Sequence, residues 1–383
     1  MKKIIKFILL LTLTFSSFFG GVFAEEKIKI GLLVPLTGED SEVGQSIIKA
    51  VQLAINQINN SSIEIIPKDT ASSPEITLRS AKELDSLGVK IVIGPVFNKN
   101  LIYLDELNKL IFLSLTNRND TGSKNIIKAG INATSQLNAI KRFIELNKIK
   151  KTIFLTPDVN YKDEIKQAIF SSKIKIIKNY IYNIDPTKLT EQITIITEYK
   201  KRKQNLEDEI KRLESSDEID KEKLIERLKK NDTLGDVNFD SIIIADFDES
   251  LKSVTTSLLY TDISPKEKYF ITLNQWFDES LLIETSSQPL YFPSINKKNY
   301  EIFSSNYFEK YNQYPNQLSF LSFDLVGLVY YLILQNNLVV NEKIFTKKTL
   351  FKGKVGNFEI KDNRINHILN FYKVENKEFK KIF

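Results

Sequence analysis

What most constrains the fold is an alternation repeated along the chain: short apolar runs, each followed by a stretch with apolar residues at helical spacing. Residues 27–35 read Lys-Ile-Lys-Ile-Gly-Leu-Leu-Val-Pro, an apolar strand stopped by a proline, and Ile47, Ile48, Val51, Ala54, Ile55 and Ile58 then recur on one helical face. The pattern continues with strands at 63–66, 89–93 and 111–115 and a helix over 74–87 that ends at Gly88. A second series starts near residue 148, with strands at 152–155, 174–182, 241–245 and 269–273. Strands that alternate with helices imply parallel βαβ units in doubly wound sheets. The expected class is α/β, with two Rossmann-like doubly wound lobes. A length of 383 residues agrees, because a single core of that size is unusual.

One segment breaks the alternation. Residues 190–232 are densely charged, with Leu206, Ile210 and Leu213 on one stripe and Leu224, Ile225 and Leu228 on another, separated by Ser215-Ser216-Asp217. Two amphipathic helices folding back as a hairpin would pair those stripes and leave the charges in water. Such an insertion either closes on itself or serves as a docking arm. Removal of residues 198–232 is expected to leave both lobes folded, since a self-satisfied surface insertion costs little to delete.

The chain has no Cys and one His, which removes disulfide frameworks, Cys-based zinc sites, thiol catalysis and nearly all Ser-His-Asp chemistry. Neither a phosphate-binding glycine loop nor a dinucleotide fingerprint is present: Gly31, Gly38 and Gly44 have the wrong spacing. His367, in a turn-like Asn-Arg-Ile-Asn-His stretch, reads as a surface or capping residue. Asp246 and Asp248 follow a strand, where a carboxylate could do acid-base work or hold a cation but more commonly caps the next helix. No catalytic residue, cofactor or metal is expected. The 54 basic and 48 acidic residues leave a net charge of +6, too slight to argue for nucleic acid or an anionic membrane.

The first residues carry Lys2, Lys3 and Lys6, then an uncharged run over 7–24 ending Val22-Phe23-Ala24. This reads as a signal peptide over 1–24, cleaved after Ala24 for export to the periplasm, with no stable membrane insertion afterwards and no Cys for lipid attachment.

Particular blocks carry a family resemblance. Lys29-Ile30-Gly31-Leu32-Leu33-Val34-Pro35-Leu36-Thr37-Gly38, Ile91-Val92-Ile93-Gly94-Pro95, Ser322-Phe323-Asp324-Leu325-Val326-Gly327-Leu328 and Phe351-Lys352-Gly353-Lys354-Val355-Gly356-Asn357-Phe358 resemble the leucine/isoleucine/valine-binding protein family. The resemblance implies the type I periplasmic binding protein fold: lobe 1 over 25–147 and 288–348, lobe 2 over 148–287 and 349–383, three crossovers, and a ligand cleft between the lobes. Within that family, Ile93-Gly94-Pro95-Val96-Phe97, Phe112-Leu113-Ser114-Leu115-Thr116-Asn117 and the segment 233–240 are similar to the penicillin-binding-protein activators. The best-known activators are outer-membrane lipoproteins, and this chain lacks their Cys. Transport relatives place Ser or Thr after the Gly-Pro to grip an amino acid's charged ends, whereas this chain has Val96, Phe97, Asn98, Lys99 and Asn100. The cleft candidates are Phe97, Asn98, Thr116, Asn117, Asp246 and Trp276. The resemblance implies a non-enzymatic regulator that binds a cell-wall synthase, or alternatively the receptor of an ABC importer that meets a permease and takes a small-molecule solute such as an amino acid.

Overall fold

The computed structural model describes residues 27–60, 62–118, 123–273, 276–336, 342–346, 348–361 and 364–383. The expected signal peptide lies outside them.

Lobe 1 is built on β1 (Ile28–Val34), β2 (Ile63–Asp69), β3 (Ile91–Ile93), β4 (Ile111–Ser114) and β5 (Ile126–Lys128), all parallel, in the order β2-β1-β3-β4-β5. β1, the central strand for β2 and β3, is buried from Ile30 to Val34 and has Ile30 level with Ile65 and Ile91. Helices α1 (Ser41–Ile58) and α2 (Pro74–Ser86) cross over between the first three strands. Gly44 has a steric reason: a Cβ there would meet the Pro35 carbonyl oxygen at 1.7 Å, so only glycine lets the helix start beside β1.

The second sheet has seven strands, built on β6 (Thr152–Pro157), β7 (Lys178–Tyr182), β8 (Ser241–Ile244), β9 (Tyr269–Thr272) and β10 (Leu290–Ser294). Two C-terminal strands, β14 (Asn370–Glu375) and β15 (Glu378–Lys381), complete it in the order β15-β14-β10-β9-β8-β6-β7. The first five are parallel and the last two antiparallel. A separate antiparallel sheet joins β11 (Thr349–Lys352), β12 (Asn357–Lys361) and β13 (Arg364–Ile368).

Packing moves the lobe boundaries from the sequence expectation. Helix α3 (Ala133–Leu146) follows the first crossover, and its Phe143 stacks on Phe371 at 4.4 Å and meets Tyr291 at 5.1 Å and Tyr269 at 5.6 Å, all in or beside the second sheet. The chain therefore leaves lobe 1 near Gly130, not at residue 147. β10 likewise pairs with β9 and β14, so residues 290–294 belong to lobe 2 and the return begins after Ser294. The return supplies α9 (Lys297–Tyr311) and α10 (Ser319–Gln335) to lobe 1, where the Tyr311 hydroxyl donates to the Lys49 carbonyl at 2.9 Å and the Tyr307 hydroxyl meets Ser46 Oγ at 3.1 Å. α10 is apolar on nearly every face and is buried from Ser319 to Val326, as a helix covered on all sides must be. The small sheet is tied to α10 through Asp324, so residues 349–368 lie with lobe 1 and only 370–383 return to the second sheet.

The charged segment begins later than its composition suggests. α5 (Pro186–Ile196), following α4 (Lys162–Ser172) and β7, is an ordinary crossover helix that buries Leu189 and Ile193 in the lobe 2 core. The hairpin proper is α6 (Tyr199–Glu214) and α7 (Lys221–Leu228), with Leu206 and Leu213 buried and Ile219 at the tip fully exposed. Its root is fixed to lobe 2. Arg202, 5% exposed, donates from Nε to the Thr197 carbonyl at 3.0 Å, from Nη1 to Thr233 Oγ1 at 2.8 Å and from Nη2 to the Thr261 carbonyl.

His367 is a second correction. It is a buried residue of β13, not a surface cap. Its backbone N–H donates to Ser135 Oγ at 3.0 Å, and its Nε2 lies 2.7 Å from the Ala129 carbonyl and therefore carries the proton. The ring thus joins the third crossover to the first. Burial pulls the imidazole down to about 4, against the opposing bond to Ala129. A depressed histidine contributes stability that is present above its unfolded value of about 6.5 and is lost as pH falls through that value toward 4. The wild-type protein is expected to lose about 3 kcal/mol over that window relative to His367→Gln, whose amide can donate to Ala129 without titrating. Chemical denaturation of both proteins at pH 7 and pH 4.5 measures the difference.

Candidate functional site

The site follows from where the parallel strands end. In an open α/β sheet the loops after the strands' carboxyl ends line the crevice. After β3, Gly94 takes φ +106°, and a Cβ there would lie 2.2 Å from the Leu33 carbonyl oxygen; a glycine is required for the chain to turn out into the loop 95–100. After β4, Thr116 is 6% exposed, its carbonyl accepts from the Gly130 N–H at 3.1 Å, and its Oγ1 accepts from the Arg118 N–H at 3.3 Å. The β4 end is thus tied to the first crossover, leaving Asn117 and Arg118 exposed.

These two loops form one wall of a cavity of about 600 Å³, a size suited to a small organic ligand. Lobe 1 contributes Val96, Phe97, Asn98, Lys99, Thr116, Asn117 and Arg118, and the loop before α10 adds Gln317 and Leu318. Gln136 in the first turn of α3 and Leu369 after β13 stand at the crossovers, and Trp276, Pro293 and Ser294 close the lobe 2 side. Trp276 also packs against Phe320 of α10, with ring centroids 5.6 Å apart. The Lys99 ammonium lies 5.9 Å from the Phe97 ring centre.

Five of the six sequence candidates therefore meet in one cavity: Phe97, Asn98, Thr116, Asn117 and Trp276. Asp246 does not. It is 4% exposed within lobe 2, accepts from the Tyr182 hydroxyl at 2.5 Å and from the Phe247 N–H at 3.0 Å, and does not line the cavity. Burial pushes its carboxyl up, and the bond from Tyr182 pulls it back. Sequence reasoning missed Arg118, Gln136 and Gln317. Arg118 had a usable signal, being a cation two residues past a strand-end threonine. Gln136 and Gln317 had none, because they come from segments far away in sequence.

The chemistry of the lining is one-sided. Lys99 and Arg118 are cationic, six further residues are uncharged and polar, and no carboxylate is present among the described lining residues. Among the described residues no cluster of three His, Asp or Glu side chains is arranged to hold a metal, and no helix is long and apolar enough to cross a membrane.

Comparison with known proteins agrees with this architecture. Residues 27–193 match the family model described as periplasmic binding protein. No curated protein sequence matches the chain. Among solved structures, a putative branched-chain amino acid ABC transporter protein from Rhodospirillum rubrum is similar with a TM-score of 0.69 at 13% identity, covering 93% of this chain and all of that one. The C-domain of LpoA from Haemophilus influenzae, described as a regulator of PBP1A, is similar with a TM-score of 0.62 at 14% identity, over 93% and 100% of the two chains. The leucine-binding protein LivK from Thermotoga maritima is similar with a TM-score of 0.56 at 16% identity, over 93% and 98%. With two parallel-sheet lobes, a cleft at their strand ends and solved structures of the same architecture, the chain has the type I periplasmic binding protein fold, and its residues 27–193 match the periplasmic binding protein family.

Proposed function

We propose that this chain is a non-enzymatic, exported binding protein that regulates a cell-wall synthase, a reading supported by its likeness to the LpoA C-domain, a regulator of PBP1A. The composition of the cleft carries the reading. Val96, 4% exposed, and Phe97 occupy the strand end where amino-acid receptors present hydroxyls, and no carboxylate stands among the described lining residues to receive an ammonium group. A zwitterion entering this cleft would be desolvated at its positive end with neutral oxygens but no carboxylate to offset the charge, and beside two cations. The basic, then apolar, stretch over 1–24 supports export to the periplasm.

A second reading, the receptor of an ABC importer for small organic solutes, is favoured by one observation: the cavity is roomy and is lined from both lobes, as closure on a solute requires. The two readings separate on affinity for common amino acids. Leucine and glutamate are expected to bind no tighter than millimolar, about 4 kcal/mol, by calorimetry. Immobilised protein is expected to retain a purified penicillin-binding synthase from the same cell. A micromolar dissociation constant for either amino acid that is lost in Thr116→Ala or Asn117→Ala, together with no synthase retention, would replace the regulator by the receptor.

A further inference from the structure

We infer that the interlobe cleft is a site for a planar, ring-bearing organic anion, a carboxylate without an ammonium group. This rests on the binding-protein reading of the cleft and adds the class of ligand, whichever partner the protein serves. Three observations converge on it. First, the only formal charges among the described lining residues are those of Lys99 and Arg118, and neither forms an ion pair among the described residues. Both side chains are exposed at the cavity, where a carboxylate could receive charge-assisted hydrogen bonds, from Arg118 in bidentate fashion. Second, an aromatic side chain stands on each side, Phe97 after β3 and Trp276 after β9, so a flat ring would find π-faces from both lobes. Third, the floor between them is apolar, with Leu115 and Leu321 both at 3% exposure or less. An apolar floor favours a ring over a polyhydroxylated sugar, which would leave its hydroxyls unpaired there. The same cations disfavour an amino group beside the carboxylate.

The test is calorimetry on the mature protein with benzoate, 4-hydroxybenzoate, indole-3-acetate and 1-naphthoate, each beside its neutral amide. At least one anion is expected to bind below 100 µM, at least tenfold tighter than its amide. That preference should vanish in the double variant Lys99→Gln/Arg118→Gln, whose changes are at exposed side chains and whose melting temperature should match the wild type. The single variant Arg118→Gln should weaken the anion by about tenfold. The inference is overturned if no anion binds at 1 mM, if the amides bind as well as the acids, or if the double variant keeps the preference. Raising ionic strength separates a specific site from diffuse attraction: an anion whose binding is abolished by 0.3 M salt in parallel with that of chloride-like competitors overturns it as well. Retention of the synthase is scored separately on ligand-free protein. Loss of anion binding with synthase retained refutes the ligand class alone, and anion binding without retention refutes the regulator alone.

Discussion

Asp324→Ala is expected to cost about 3 kcal/mol at pH 7, measured as the difference in chemical denaturation from the wild type. Asp324 lies on α10, 3% exposed, and its carboxylate accepts from the backbone N–H groups of Lys354 at 2.8 Å, Val355 at 3.1 Å and Gly356 at 2.7 Å. The turn between β11 and β12 thus hangs on one side chain. Gly353 fits there because a Cβ would come within 2.4 Å of Oδ2. Alanine leaves three N–H donors without acceptors at a buried junction, each costing roughly 1 kcal/mol or more. Asparagine should recover less than half, since its amide nitrogen would face a donor. The pH dependence has a definite sign. Burial pushes the carboxyl up to about 6, although the three backbone bonds pull it down. A carboxyl raised in the folded state contributes stability that is full below its unfolded value near 4 and is lost as pH rises from there through 6. The gap between wild type and Asp324→Ala should therefore widen by up to about 3 kcal/mol when the pH is lowered from 7 to 4. A gap that narrows instead would mean that the three N–H bonds outweigh burial and hold the carboxyl low.

The alternation of strands and helices was legible because the inner strands of a two-sided parallel sheet are mostly apolar and covered on both faces: Ile91–Ile93, Ile111–Ser114 and Ser241–Ile244 are buried at every residue. The cleft was legible for the same reason, since a strand that ends at a known residue places the next few at the crevice. The crossovers were not. Whether α3 belongs to lobe 1 or lobe 2 depends on Phe143 meeting Phe371, a partner 228 residues away that no local pattern announces. β10 carries Pro293 within it, a residue that argues against a strand whose two sides are both paired, yet it sits between β9 and β14. Asp246, read as a cleft or helix-capping carboxylate, and His367, read as a surface or capping residue, have partners far away in sequence that no local pattern announces. Each is buried against a specific partner, Tyr182 for one and the Ala129 carbonyl for the other.

The hairpin shows the same limit in its most testable form. Its charges and paired stripes read as a self-contained arm, and Leu206 and Leu213 are indeed buried. Among its many basic residues, however, Arg202 differs, and composition gives no sign of it. Its guanidinium bridges the end of α5, the segment after the hairpin and the end of α8 (Asp248–Tyr260), while Thr233 Oγ1 passes the link on to Asp262 Oδ2 at 2.6 Å. Burial pulls the guanidinium down and the nearby Asp262 raises it. Arg202→Ala would leave two carbonyls and a hydroxyl short of a donor and Asp262 without its nearby cation, and is expected to cost about 3 kcal/mol. Arg202→Lys should restore less than half, because one ammonium cannot reach three acceptors from a planar fork. Ile219→Ser at the fully exposed tip should change stability by less than about 0.5 kcal/mol. Deletion of residues 198–232 removes Arg202 along with the arm, so the expected result is now a loss greater than about 1 kcal/mol rather than none. Chemical denaturation of the four proteins decides it: an Arg202→Ala variant as stable as Ile219→Ser would return the hairpin to a free appendage, and its only remaining role would be at the tip.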